Sequence, residues 1–292
     1  MLRMINAEIY KLFKSKIFKV LCLVAVMLSL VVIVVNTYLN EDTLRESLKS
    51  LPEEQQTQMI DSMKNPEGEK IVVTGFALTT SGAINPFDTT ARETFNMSFG
   101  VGIIEILIVV LVANLFAKEY SEGTIKNILA YGKKREQYYM AKFVAISVGI
   151  AIITLIMCII PTVQRISVKG IGDGSITEFL IYCAKVYLGN LILSICTLAF
   201  IMLIGTITRS NSHTVIIGII IMTLLPIALG FAYGKFDWFD NIYNLSLPYN
   251  ASLVKAIHAT GEDMLKAIFI GVVTMLISLI AGISLLKKQD IK

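Results

Sequence analysis

The sequence predicts an all-α polytopic membrane protein with six membrane-spanning helices. Of its 292 residues, 55% are hydrophobic and only 16% are charged, and the mean hydropathy is +0.70. A soluble domain of this length cannot bury so large an apolar fraction. Six apolar runs are each long enough to cross a bilayer core of about 30 Å. They cover residues 20–39, 97–117, 143–163, 182–207, 214–234 and 267–286.

The N-terminal segment, residues 1–16, predicts a helix that lies in the membrane interface and leads into the first run. Its apolar residues repeat at helical spacing, and its charged residues fall mostly on other faces. The apolar face comprises Leu2, Ile5, Ile9, Leu12 and Phe13, and the charged residues are Arg3, Glu8, Lys11 and Lys14.

Lysine and arginine are concentrated in alternate loops. Basic residues precede the first run, fill the loop between the second and third runs, and follow the sixth. Since cytoplasmic segments carry the excess of basic residues, these segments and both termini are predicted to be cytoplasmic. The protein is therefore predicted to be a multi-pass protein of the cell membrane. Basic residues placed beside hydrophobic runs favour membrane lipid, and not nucleic acid, as a partner.

The predicted outer loops include one large insert, residues 40–96, which predicts a small extracellular subdomain. Ser50 and Glu53 have the spacing of a capping box and predict a helix to about residue 63. Residues 71–74 could form a short strand. The insert could cap the membrane domain or recognise a ligand outside the cell. In the last outer loop, residues 251–260 predict a helix that could dip into the bilayer edge if protein buries it.

Three residues inside the apolar runs are unusual. Pro226 makes the fifth run the most easily bent. Glu105 lies near the middle of the second run, where an isolated ionised side chain costs about 2.5–3.5 kcal/mol. Lys185, near the outer end of the fourth run, could pair with Glu105 or extend toward the interface. We favour a structural pairing over a proton relay, because one carboxylate makes no relay chain.

The loop between the second and third runs, residues 118–135, is the longest polar and basic stretch between two apolar runs. Gly123 marks a break, Thr124 could cap a helix, and the apolar residues that follow repeat at helical spacing. The stretch predicts a short amphipathic helix on the cytoplasmic membrane surface. It could be an ordinary interfacial helix or a docking element for a soluble partner, and periodicity does not separate the two.

The sequence has no motif for catalysis or metal binding. It lacks a Walker A run and a His-Glu-x-x-His motif, and its two histidines, His213 and His258, are far apart. The four cysteines all lie in apolar segments and are expected to be core residues. The chain alone is therefore not expected to be an enzyme.

The layout resembles that of a permease of the ABC transporter type-2 family over essentially the whole chain. At residue level the resemblance depends mainly on residues 116–142. Here a glutamate, Glu119 or Glu122, is followed by Gly123 and Thr124 and then by a basic end at residues 133–135. The family often has a proline before the basic end, where this chain has tyrosine and glycine.

The resemblance implies a permease that works as a homodimer or heterodimer with a second permease, with a separate ABC ATPase subunit docked below. The expected docking sites are the N-terminal helix and the coupling helix, residues 118–135. The docking residues expected in the coupling helix are Glu119, Glu122, Gly123, Thr124 and Lys126. ATP and magnesium would bind the ATPase, and no cofactor would bind this chain. The implied function is export of a peptide, antibiotic or other amphipathic compound, or antibiotic peptide resistance. The alternatives are a proton- or ion-coupled secondary transporter and a non-transporting subunit of a sensory or immunity complex.

Overall fold

The computed structural model describes residues 1–38, 41–49, 51–64, 89–100, 102–125, 134–172, 175–255 and 260–289. These parts of the chain are helical and contain no strand. The α-helices, in chain order, are α1 (Leu2–Lys14), α2 (Lys16–Tyr38), α3 (Glu41–Ser47), α4 (Glu53–Lys64), α5 (Ala91–Met97), α6 (Ile103–Val112), α7 (Lys118–Ser121), α8 (Arg135–Lys169), α9 (Ile176–Thr208), α10 (Asn211–Ile219), α11 (Leu225–Gly230), α12 (Asp237–Tyr243), α13 (Leu247–Lys255) and α14 (Gly261–Lys288).

Two π-helical segments connect some of these helices without a break. The first, π1 (Ala113–Ala117), joins α6 to α7, and the second, π2 (Ile220–Leu224), joins α10 to α11. The π2 segment ends two residues before Pro226, which has no amide hydrogen and cannot continue a regular α-helical ladder. The fifth predicted run is therefore irregular next to Pro226, the residue that predicts a bend there.

Five segments among the described residues are long and apolar enough to cross a membrane: α2, α8, α9, the composite Asn211–Gly230, and α14. They correspond to the first, third, fourth, fifth and sixth predicted runs. The second run does not form one helix, because the backbone turns at Gly100 and Gly102, where φ is +52° and +81°. The run restarts at Ile103, so the count of six continuous spans is not confirmed.

Helix α9 lies at the centre of the helical bundle and packs against α6, α8, α13 and α14. Its contact with α14 is the most extensive, and small residues allow the helices around it to approach closely. A side chain at Gly271 of α14 would meet Leu193 of α9, with its Cβ 2.5 Å from Leu193 Cδ2. At Gly282 a Cβ would lie 2.7 Å from Tyr139 Cζ of α8. These glycines therefore determine how the last helix seats on the bundle.

Within the predicted extracellular insert, the helix expected after Glu53 is present as α4. The strand predicted at residues 71–74 lies outside the described residues. Helix α5 has a capping box of its own: Thr90 Oγ1 accepts from the Glu93 amide, and the Glu93 carboxylate accepts from the Thr90 amide. Arg165 of α8 donates to the Thr89 carbonyl at 2.8 Å, which fixes the start of α5 against the bundle.

Candidate docking site

A buried lysine joins the N-terminal helix to the end of the second predicted run. The ammonium of Lys142, in the second turn of α8, lies 2.6 Å from Glu8 Oε2 of α1 and 2.6 Å from Glu119 Oε1 of α7. It also donates to the Leu115 carbonyl of π1 at 2.9 Å. Lys142 is only 3% exposed. Its three partners use the whole donor capacity of a lysine ammonium, so one side chain connects three elements.

The remaining carboxylate oxygens of this cluster are also satisfied. Lys11 lies 2.6 Å from Glu8 Oε1, and the Tyr138 hydroxyl donates to Glu119 Oε2. Two carboxylates and two ammonium groups balance in charge. We call these five residues (Glu8, Lys11, Glu119, Tyr138 and Lys142) the Lys142 network. Ion pairs buried in this way are favourable only when hydrogen bonds satisfy the remaining polar atoms, as they do here.

Local sequence spacing explains how the network forms. Tyr138 and Lys142 are four residues apart on α8, and Glu8 and Lys11 are three apart on α1, so each pair lies on one helical face. Glu119 follows π1, whose wider hydrogen-bonded turns shift the residues after it around the helix axis. Phe116 of π1 packs against the ring of Tyr138, which fixes this turn beside α8.

The carboxyl of Glu8 is held in its ionised form. Burial alone would raise its pKa, but attraction by Lys142 and hydrogen bonds from Lys11 and Lys142 lower the pKa below its ordinary value of 4.5. Glu8 lies inward with Leu12, although the sequence pattern placed it with the charged residues away from the apolar face. Glu8 is thus the exception to a pattern that places the charged residues mostly on other faces, and a buried cation on another helix compensates the buried carboxylate.

The predicted docking residues occupy different environments. Glu119 lies inside the Lys142 network and is mostly covered, whereas Glu122 is exposed and pairs with Lys118 at 3.3 Å. Gly123 ends this turn with φ +69°, and a Cβ there would meet no atom of the described residues within 4 Å. Thr124 is exposed, and its hydroxyl donates to the Glu119 carbonyl at 3.3 Å. Lys126 lies outside the described residues, as does most of the predicted amphipathic helix.

The other end of this stretch is anchored to the C-terminal helix. Arg135 begins α8, and its Nη1 donates to the carbonyls of Leu286 and Gln289 at 2.6 Å and of Lys287 at 3.2 Å. The Leu286 and Lys287 carbonyls belong to the last turn of α14, whose acceptors have no partner within the helix, and Gln289 is the residue that caps it. The Gln289 side chain in turn donates to the Thr206 carbonyl of α9 at 2.9 Å. Arg135 therefore caps the last helix.

Glu105 has a different partner from the one considered from the sequence. Its Oε1 lies 2.7 Å from the ammonium of Lys255, at the end of α13, and Lys185 is exposed. The pairing of Lys185 with Glu105 is therefore not formed, and extension of Lys185 toward the interface stays a prediction. Glu105 stands in the first turn of α6, just after the break at Gly102, where the helix dipole also favours a carboxylate.

A profile of the family described as "ABC-2 family transporter protein" matches residues 2–291, nearly the whole chain. This chain is a member of the ABC-2 transporter family. The resemblance read from residues 116–142 and from the helix layout is thereby confirmed. No curated protein matches the sequence.

Membership of the ABC-2 transporter family has two direct consequences. It implies that the chain is a multi-pass membrane permease subunit of an ABC transporter, and that it associates with an ABC ATPase subunit. The predicted docking stretch of this ABC-2 permease begins at Lys118 and ends at Arg135. Its second residue, Glu119, belongs to the Lys142 network, and its last residue, Arg135, caps α14. Both ends are therefore fixed to the membrane helices.

Sequence reasoning missed three partners in this ABC-2 permease. Glu8 is the single acidic residue among the first nineteen, and that isolation among basic neighbours was the available signal of an inward role. Lys142 lies directly before the third run and looks in the sequence like one more basic residue of that loop. Lys255 gave no signal, because its pairing with Glu105 joins residues 150 positions apart.

The site offers ionic and hydrogen-bonding contacts. Within the described ranges, no three His, Cys, Asp or Glu side chains come together as a possible metal site. The expectations that this ABC-2 permease binds no cofactor and catalyses no reaction stay predictions.

The lowered pKa of Glu8 predicts how stability depends on pH. Because the folded pKa lies below the unfolded value near 4.5, the carboxylate's stabilisation is fully present above pH 4.5 and is lost as pH falls through the lower folded value. We expect Glu8→Gln to lower the melting temperature of the detergent-purified chain by a constant amount from pH 7 to about pH 5. Below pH 4.5 the difference should shrink. A difference that already shrinks between pH 7 and pH 5 would contradict a lowered pKa.

Proposed function

We propose that this chain is the membrane-spanning permease of an ATP-driven exporter, that it forms the translocation path as a dimer, and that its ATPase docks on residues 118–135. ATP and magnesium would bind the ATPase subunit alone. Family membership supports the permease role and the ATPase partner. The substrate class, a peptide, antibiotic or other amphipathic compound exported for resistance or immunity, follows the family resemblance.

The observation that carries the docking proposal is the Lys142 network. A docking surface can drive a permease only if its movement reaches the membrane helices. Glu119 lies three residues before Glu122 and four before Gly123, and its carboxylate is bonded to α8 and, through Lys142, to α1. A partner that displaces Gly123 would therefore act on α1 and α8 together. A solvated surface loop would need no such buried connection.

The surface beyond this network has the properties of a contact site. Glu122 and Thr124 are exposed and Gly123 is half-buried, and no atom of the part of the chain that the structure describes fills the space where a Gly123 Cβ would lie. The Glu122–Lys118 pair is about half exposed, so it contributes little to the fold itself. The Glu122 carboxylate therefore remains accessible to a partner.

We further propose that α6, π1 and α7 together form the sixth membrane crossing. They follow each other without a break from Ile103 to Ser121, and α6 consists entirely of apolar residues except Glu105. The pairing of Glu105 with Lys255 removes the main cost of placing that carboxylate in the membrane. With this crossing, both termini lie on the cytoplasmic side.

The same ion pair argues against the proton-coupled alternative. A relay carboxylate must be free to exchange its partners, whereas Glu105 Oε1 lies 2.7 Å from the Lys255 ammonium in an ion pair that joins α6 to α13.

The docking proposal predicts that changes at Glu122 and Gly123 release the ATPase. Glu122→Lys should reduce the amount of co-purifying ATPase by a factor of tens or more, because losing a desolvated charge pair at an interface costs about 2–5 kcal/mol. Gly123→Trp should have a similar effect, since its ring would fill space that the partner needs. The measurement is the stoichiometry of permease to ATPase after purification in detergent.

Matched controls separate docking from folding. Glu46→Lys breaks another exposed ion pair, with Lys49 at 3.1 Å, and should leave the ATPase bound. Gly123→Ala adds the strain of a side chain on a left-handed backbone without the bulk of tryptophan. This variant should retain most of the bound ATPase. Normal expression with full ATPase content in both Glu122→Lys and Gly123→Trp would show that docking occurs elsewhere.

The proposed topology predicts which exposed serines a membrane-impermeant thiol reagent can reach. In a background with the four cysteines replaced, Ser62→Cys on α4 should be labelled in intact cells. Ser121→Cys at the end of α7 should be labelled only after permeabilisation. Labelling of Ser121→Cys in intact cells would refute the orientation, and equal protection of both positions would refute the sixth crossing.

A further inference from the structure

The first nineteen residues present an exposed surface on which every charge is positive. Their single acidic residue, Glu8, is buried and paired with Lys142. The only other charge drawn into the Lys142 network is Lys11, which pairs with Glu8 at 2.6 Å. The side chains of the remaining basic residues are exposed: Arg3, Lys14, Lys16 and Lys19. Burial of one carboxylate therefore leaves a purely cationic surface.

Large apolar side chains are interleaved with these cations. Leu2 is 77% exposed and Tyr10 is 65% exposed, and Phe13, three residues after Tyr10 on the same helix, is 47% exposed. The ammonium of Lys14 stands 5.7 Å from the centre of the Tyr10 ring. Exposed residues with the character of a membrane interface thus lie on the same helix as the cations.

We propose that this surface, which we call the basic face (Arg3, Tyr10, Phe13, Lys14, Lys16 and Lys19), is a binding site for anionic phospholipid headgroups. The cations would contact the phosphate and acidic headgroup, and Tyr10 and Phe13 would enter the region between headgroups and acyl chains. The proposed site goes beyond the permease function, because the basic face would select lipids by the charge of their headgroups.

Two observations favour lipid over an acidic protein surface as the occupant. Apolar exposure continues without interruption from the basic face along α2, through Val20, Leu23 and Met27, which are all more than half exposed. Ser15 has extended backbone between the two helices, so α1 leaves the axis of α2 at the level where the apolar run begins. Cations at the end of a lipid-facing helix lie at the height of the headgroups.

The test places a fluorescent reporter on the basic face of the full-length chain in liposomes. Tyr10→Trp is combined with Trp238→Phe, which removes the single native tryptophan. Quenching is measured with brominated phosphatidylglycerol diluted into unlabelled phosphatidylcholine, and with brominated phosphatidylcholine diluted into unlabelled phosphatidylglycerol. At low salt, half-maximal quenching should need at least about fivefold less of the anionic brominated lipid, the effect expected for one cation near a charged surface.

The preference should follow the charge of the basic face alone. Lys14→Gln, Lys16→Gln and Lys19→Gln together should bring the two quenching midpoints to within about twofold, and high salt should do the same. The matched control, Lys185→Gln with Lys235→Gln, removes exposed cations elsewhere and should leave the preference intact. Equal quenching by both lipids in the reporter chain would overturn the proposal. So would a preference that survives the triple change, or quenching that appears with neither lipid because a protein covers the surface.

Discussion

A lysine ammonium buried between three helical elements is the constraint that holds α1, π1 and α7 of this permease together against α8. Lys142 is surrounded by protein, and desolvating its charge costs several kcal/mol unless its partners stay in place. Those partners are Glu8, Glu119 and the Leu115 carbonyl, one from each neighbouring element. Moving α1, π1 or α7 alone would leave a charge or a carbonyl without its partner. The three elements are therefore expected to move together.

The other end of the proposed docking stretch is also fixed to the membrane helices. Arg135 holds the last carbonyls of α14, and Gln289 connects the end of that helix to α9. The chain between Glu119 and Arg135 is thus fixed at its start to α1 and α8 and at its end to α14. Force applied to it by a bound ATPase would reach helices at both edges of the bundle. Glu105 and Lys255 make a comparable connection between α6 and α13.

Hydropathy predicted most of the fold, because a bilayer requires long apolar helices and tolerates few exceptions. Five of six predicted runs are found as candidate spans. The division of the second run was missed, since Gly100 and Gly102 look ordinary in an apolar segment and only the backbone reveals their positive φ. The ion pairs were harder to predict. Lys142 reaches Glu119 across 23 residues and Lys255 reaches Glu105 across 150, and no local pattern encodes such distances.

The most direct test of the central claim is a double-mutant cycle between Glu119→Gln and Lys142→Met, read as the free energy of unfolding of the purified full-length chain. If the two side chains form a buried pair, the changes should be non-additive, with a coupling energy of at least about 1 kcal/mol. The exposed pair Lys118 and Glu122, treated in the same way, should show less than about 0.5 kcal/mol. Coupling at Glu119 and Lys142 no larger than in the exposed pair would contradict the account, because the docking stretch would then have no energetic connection to the membrane helices.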